Sequence, residues 1–314
     1  MIVYPKRMTW LRSIFRWRES VAYNIWRRVL ATTLISVGTT LWQLNKELPH
    51  LSLTALPFTF IGLALSIFLG FRNSTSYDRF WEGRKLWGQL VNASRTFTRQ
   101  IQTVVRSENP SEAAEVQQFQ RDFVYFMIAY VHAFRMFLRK QSDFHELDGF
   151  IPEGERKILE KQVNPPLYLL KRMSEKLQTA YQRGWIHTFH LPMLEQHLTE
   201  FTAIQGGCER IANTPIPHSY LLMLHQLVGI YCFALPFGIT DTVGLATPLV
   251  VLLVSYAFLG LDAIGDAIEN PFELDPEDLP LGSISRNIEI VLRQQLGETH
   301  LPEALVPNAY YILD

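Results

Sequence analysis

From Val243 to Leu261 the chain carries no charged residue, only apolar, small and weakly polar ones. A run of that length matches the hydrocarbon thickness of a bilayer. With no strand-like alternation in it, the backbone can satisfy its own polar groups there only as a helix. Three further stretches belong to the same class. Residues 29–44 run nearly uncharged between Arg28 and Lys46, residues 55–71 end at Arg72, and residues 220–239 hold only His225 and Gln226 as strongly polar members. The first two are slightly short and reach across with help from their flanks. The whole chain is 48% apolar and 19% charged, with mean hydropathy near zero at +0.04. That balance excludes a fully embedded transporter and fits four spans joined to a large aqueous part. A net charge of -1 argues against nucleic acid as a partner. Two cysteines, Cys208 and Cys232, leave no disulfide framework and no Cys-pair zinc site.

Basic residues orient the spans. Lys6, Arg7, Arg12, Arg16, Arg18, Arg27 and Arg28 precede the first, and Arg72, Arg79, Arg84, Lys85 and Arg95 follow the second. The short connections hold only Lys46 with Glu47, and Asp241. Lys and Arg mark the cytoplasmic side, so both termini and the long middle region are expected inside. Trp10, Ile14, Trp17 and Val21 recur at helical spacing with Arg12, Arg16 and Arg18 between them, which predicts an amphipathic helix at the inner membrane surface. In the middle region, residues 117–140 repeat Phe123, Phe126, Met127, Tyr130, Phe134 and Phe137 at three and four. Charges at both ends make this a buried helix of an aqueous bundle. Residues 167–183 and 193–211 read as two more helices, set off by Asn164–Pro165–Pro166 and by the Pro-rich segment before His218.

Within the second span lie two adjacent stripes. Gly62, Ser66 and Gly70 recur every four residues, and Leu63, Ile67 and Phe71 do so one step later. Small residues at that spacing let helices approach closely in a membrane. If several copies surround an axis, the bulky stripe can turn inward as a narrow, uncharged throat. The same pattern is also that of a tightly packed span with no pore.

No catalytic motif of the nucleophile-elbow, phosphate-loop, dinucleotide or zinc-protease type occurs, so the chain reads as a non-enzyme. His187, His190 and His197 have only Glu195 nearby at ligand spacing, and His225 sits in a span with no acid expected at its depth. After the last span, Asp262, Asp266 and Glu269 share a helical face, and Asn270, Asp275 and Asp278 follow in a Pro-broken loop. Oxygen-rich and sulfur-free, the segment has the donors a hard cation such as Ca²⁺ prefers, although its spacing is first that of a solvated acidic linker.

Taken in order, Phe68–Leu69–Gly70–Phe71–Arg72–Asn73, Leu86–Trp87–Gly88–Gln89–Leu90, Gly207–Cys208–Glu209–Arg210–Ile211–Ala212–Asn213–Thr214–Pro215 and Asn270–Pro271–Phe272 resemble the bestrophin family, in its bacterial branch, over nearly the whole chain. The resemblance implies an all-α homopentameric ion channel with four spans per subunit, a cytoplasmic helical bundle and one axial pore. Onto the family's neck fall Leu63, Ile67 and Phe71, with Gly62, Ser66 and Gly70 as the packing residues beside them. Onto its cytoplasmic aperture falls Phe189. Onto its calcium clasp fall Asn270, Asp275 and Asp278, while Ala267 stands where animal members place another oxygen ligand. No cofactor is required, and Ca²⁺ is a candidate ligand. The permeant species is a small monovalent ion: chloride by the family majority, a sodium-type cation by the bacterial branch, with the sign left open. The implied location is the bacterial inner membrane.

The expected organisation is an N-terminal amphipathic segment at 1–28, two spans with the neck at 29–71, a cytoplasmic helical region at 72–217, two spans at 218–264, and an acidic loop with tail at 265–314. The rival reading is a membrane-anchored scaffold or sensor that conducts nothing.

Overall fold

The computed structural model describes residues 1, 3, 20–45, 53–308 and 310–314, and these are almost entirely helical. The helices are α1 (Ala22–Leu44), α2 (Ala55–Val104), α3 (Ala113–Leu138), α4 (Glu153–Leu159), α5 (Pro165–Gln182), α6 (His190–Asn213), α7 (His218–Val243), α8 (Thr247–Glu269) and α9 (Leu281–Gln295). The expected amphipathic helix around Trp10, Ile14 and Trp17, and the loop with Lys46 and Glu47, lie outside the described residues. Contacts divide the chain into two compact units.

One unit holds Tyr4–Phe80 and Pro215–Asn270, and so α1, the first half of α2, α7 and α8. Its core joins Ile25 and Val29 of α1, Leu65 and Leu69 of α2, Val228, Cys232 and Leu235 of α7, and Val251 and Leu259 of α8. Two stretches of the described residues are long and apolar enough to cross a membrane, Ala55–Val104 and His218–Glu269. The second is α7 and α8 divided by a short 3-10 turn, where Gly244 takes a φ of +62° that a side chain would resist. Helix α1 is more polar, but its threonine hydroxyls are satisfied internally, while the buried Ser36 hydroxyl has no partner among the described residues. Thr33 and Thr40 donate to the carbonyls of Val29 and Ser36 four residues earlier, each at 2.7 Å.

The other unit holds Met1–Val3, Trp81–Thr214 and Pro271–Asp314. The aromatic periodicity of α3 gives its core: Trp87 stacks on Phe134 at 5.4 Å, and Phe97 meets Phe123 edge-on at 5.3 Å and Phe201 at 5.8 Å. Helix α5 starts where Asn164 accepts from the Leu167 N–H at 3.1 Å and two prolines open the first turn. Among the polar contacts, His132 of α3 is buried between two carboxylates. Its Nδ1 stands 3.2 Å from Glu146 and its Nε2 3.2 Å from Glu289. The His132 ring, and then Arg135, hold the Glu146 carboxyl down at about 2 against the burial that opposes them. The chain ends pair like strands, with the Met1 amino group donating to the Leu313 carbonyl and the Leu313 N–H to the Met1 carbonyl.

Candidate functional site

The apolar half of α2 buries one seam in its own unit: Gly62, Leu65, Leu69, Arg72 and Ser76. Leu65 and Leu69 are 2% and 0% exposed. A β-carbon added at Gly62 would lie 2.6 Å from the Tyr231 hydroxyl, so glycine is what lets α7 approach there. At 100° per residue, the stripe of Leu63, Ile67 and Phe71 is centred about 180° from that seam. Those three side chains are 61%, 51% and 64% exposed. The bulky stripe therefore points directly away from the chain's own core.

The small stripe lies between these two faces. Of the expected packing trio, Gly62 meets a neighbour in its own chain. Ser66 is exposed, with its hydroxyl turned back to the Gly62 carbonyl at 2.8 Å, and nothing lies within 4 Å of where a Gly70 side chain would start.

Immediately after Phe71 comes a charged cluster. Arg72 is buried and forks onto α8, donating to Asp262 and to Asp266. His225 of α7 joins it: Nδ1 is 2.7 Å from Asp262 Oδ2, and Nε2 is 3.6 Å from Asp266 Oδ1. This corrects the sequence-based expectation that no acid lies at the depth of His225, since α7 and α8 run side by side and bring the two together. Gly265 permits the approach of α2, because a β-carbon there would lie 2.6 Å from Asn73 Oδ1 and 3.3 Å from Arg72 Nε. A signal for this cluster was present. Arg72 directly follows one apolar run and Asp262 directly follows another, and buried ions in such places need partners.

The remaining expected site residues lie apart. Phe189, in the turn before α6, is 82% exposed, and its ring stacks on His187 at 5.4 Å. His190 comes within 5.9 Å of His187, whereas His197 packs on Phe97 at 5.2 Å. Asn270 closes the apolar unit. In the other unit, Asp275 and Asp278 share one turn: the Asp275 N–H donates to Asp278 Oδ2 at 2.8 Å and the Asp278 N–H to the Asp275 carbonyl at 3.0 Å. Burial, with Asp275 and Glu273 nearby, pushes the Asp278 carboxyl up to about 6.

Comparison with known proteins places the chain in a lineage. A family profile described as "Bacterial/Fungal Bestrophin protein" matches residues 1–294. A "Voltage-dependent anion channel-forming protein" of Escherichia coli K12 is 36% identical over 313 residues, covering all of both chains. Its namesake in Salmonella typhi is 35% identical over the same length, again covering all of both chains. Among solved structures, a bacterial bestrophin homologue from Klebsiella pneumoniae superimposes with a TM-score of 0.80 at 31% identity, covering 88% of this chain and all of that one.

Proposed function

The chain belongs to the bacterial and fungal bestrophin family, a family of membrane channels and not of enzymes, and on that premise we propose that it conducts small monovalent ions passively through a neck lined by Leu63, Ile67 and Phe71. The observation that carries this reading is the position of the stripe opposite the buried seam of α2, with more than half of each side chain uncovered by its own chain. Five copies arranged head to tail around an axis use both free flanks of α2. Ser66 and Gly70 on one copy receive Ala64 and Phe68 of the next, a heterologous contact that closes into a ring. The bulky stripe then faces the axis. The assembly has four spans per subunit, α1, the start of α2, α7 and α8, with both termini and the helical unit on the cytoplasmic side of the inner membrane. Phe189 forms a second aromatic ring, the aperture, on the exit path.

A bulky apolar ring destabilises water in a narrow throat. A partial turn of α2 that brings Ser66 and Gly70 towards the axis widens and wets it. Arg72, next to Phe71 in sequence and pinned to α8, sets the rotation of α2 at the end of the neck. The neck carries no charge, so ion sign is chosen elsewhere by field or vestibule charge. The relatives, described as anion channel-forming proteins, favour an anion, and chloride is the ion to test first.

Asp275 and Asp278 fit a hard cation. A buried carboxylate pushed up to about 6 by desolvation, with a second acid in the same turn, is a donor set short of positive charge. Ca²⁺ bound there would stabilise the loop electrostatically. Ala267 contributes no side-chain oxygen, which weakens such a site.

The test is recording from purified protein in planar bilayers under a KCl gradient. Unitary currents that reverse near the chloride equilibrium potential, and larger ones when Leu63, Ile67 and Phe71 are all changed to Ala, are expected. Absence of current, or currents unaltered by the triple change, refutes the neck.

A further inference from the structure

We infer that Asp78 forms a ring of carboxylates at the cytoplasmic end of the neck, which thins out anions there, gathers cations and makes the current rectify, an inference that rests on the reading of Leu63, Ile67 and Phe71 as the lining of a shared axis.

Helix α2 carries that lining onward, because it runs as one helix from Ala55 to Val104. At 100° per residue, Ser74 and Asp78 each fall within about 20° of the direction of Ile67. Both are exposed. Asp78 comes seven residues after Phe71, about 10 Å further along the helix. The first charge on the lining side beyond the neck is therefore negative.

The cations of the same stretch turn the other way. Arg72 is 1% exposed and forks onto Asp262 and Asp266. Arg79 is half-buried, and its Nε donates to the Glu269 carbonyl at 2.9 Å. Asp78 lies between them in sequence, yet its carboxylate has no hydrogen-bond or ion-pair partner among the described residues. An unpaired carboxylate is stable in water and costly against apolar surface, so this position belongs to a wet wall. In the ring of five copies, the water-filled axis is that wall.

Like charges gathered around a confined path focus their field along it. Chloride leaving the cytoplasm meets the ring before the neck, and chloride entering meets it only afterwards. The outward flow of chloride is then the smaller of the two. For a cation the ring enriches the cytoplasmic mouth, and its outward flow is the larger. Both cases give more current in the same electrical direction, so the asymmetry does not depend on which ion passes.

Single-channel recording of the full-length protein in planar bilayers tests the role. In symmetric KCl of about 0.1 M, wild-type current is expected to differ about twofold or more between the two polarities, and the difference should fade at about 1 M, where the charges are screened. Asp78→Asn should pass nearly equal currents both ways, and Asp78→Glu should keep the asymmetry. Asp78→Cys reads the sign within one channel. A methanethiosulfonate reagent bearing a sulfonate should restore the asymmetry, and one bearing a trimethylammonium, applied after dithiothreitol, should invert it. Wild type is the control, since Cys208 and Cys232 are buried. Equal wild-type currents at low salt, or asymmetry undiminished in Asp78→Asn while a charged reagent blocks Ile67→Cys, overturns the inference and leaves the neck standing. Ile67→Cys currents that ignore the reagent overturn the neck, and the ring with it. Loss of assembly on gel filtration by both Asp78→Asn and Asp78→Cys makes the carboxylate a partner between copies and also overturns the inference.

Discussion

Ile67 and Leu65 sit two residues apart on the same helix and should fail in opposite ways when truncated. Leu65 is 2% exposed and belongs to the core shared by α1, α7 and α8. Leu65→Ala leaves a cavity among those helices, and losses at such sites run to about 2–5 kcal/mol. Between apolar helices in a bilayer the loss is of packing and not of water exclusion, which puts the expected figure near the lower end, about 2 kcal/mol. Ile67 is 51% exposed and lies about half a turn from that core. Within one chain, Ile67→Ala forfeits about half the contact of a buried side chain, or roughly 1 kcal/mol. Its effect should appear in conduction, because five Ala side chains replace five Ile side chains at the throat. The assay is paired: thermal unfolding in detergent, and single-channel recording of the same preparations. Leu65→Ala is expected to lower the melting temperature clearly with unitary conductance unchanged. Ile67→Ala should barely move the melting temperature and should raise conductance or open probability. An Ile67→Ala protein as unstable as Leu65→Ala, with wild-type currents, would make the bulky stripe a packing face and refute the reasoning.

Three other outcomes follow from the charged groups. Glu146 has its carboxyl depressed to about 2 by His132 and Arg135, so its contribution is present above about 4.5 and lost as pH falls towards 2. Because Glu146 is partly exposed, the full shift is discounted to about 1–2 kcal/mol. Glu146→Gln should therefore lower stability by that amount at pH 7, with the gap to wild type closing as pH falls towards 2 in a thermal-unfolding series. Asp278 runs the other way. Its folded carboxyl is raised to about 6, so its ionisation costs stability progressively between the unfolded value of 3.8 and about 6. Asp278→Asn should gain up to about 2 kcal/mol above pH 6, and millimolar CaCl2 should raise the melting temperature of the wild type but not of the variant. Asp262→Asn strips the buried Arg72 of one charged partner and should cost about 3–5 kcal/mol. Pairing it with Arg72→Met should recover part of that loss in the same melting assay.

Periodicity made the faces of the helices legible, but not their partners. The spacing of Phe123, Phe126, Met127, Tyr130, Phe134 and Phe137 marks α3 as a core helix: the first five are buried and Phe137 is half-buried, though from Phe126 to Met136 the burial runs all round the helix and not along one side. The step of four through Leu63, Ile67 and Phe71 marks one side of α2. What lies opposite a face depends on contacts between distant parts of the chain. Arg72 and Asp262 are 190 residues apart, and no local pattern links them. For that reason no acid is expected at the depth of His225 from the sequence alone. A charge after an apolar run also looks like the end of a span, yet α2 continues unbroken from Ala55 to Val104. Gly83 and Gly88 do not interrupt it. At Gly83 the absent side chain makes room for Phe272, whose ring lies 2.9 Å from where a β-carbon would be. The histidines of the middle region show the reverse limit. His187, His190 and His197 are near in sequence, but His197 turns to Phe97 while the other two lie in and beside an exposed turn.

The central claim is that Ile67 faces a water-filled axis shared by five chains. Both native cysteines are buried, and burial holds the Cys208 thiol far above its ordinary value, so a cysteine introduced on the stripe is the reactive one. The direct measurement is current through Ile67→Cys channels in a planar bilayer before and after a charged, membrane-impermeant thiol reagent. Rapid block of Ile67→Cys, with Leu69→Cys and wild type unaffected, is the predicted result. Current through Ile67→Cys that the reagent leaves unchanged, in protein shown by mass spectrometry to carry the free thiol, would contradict it.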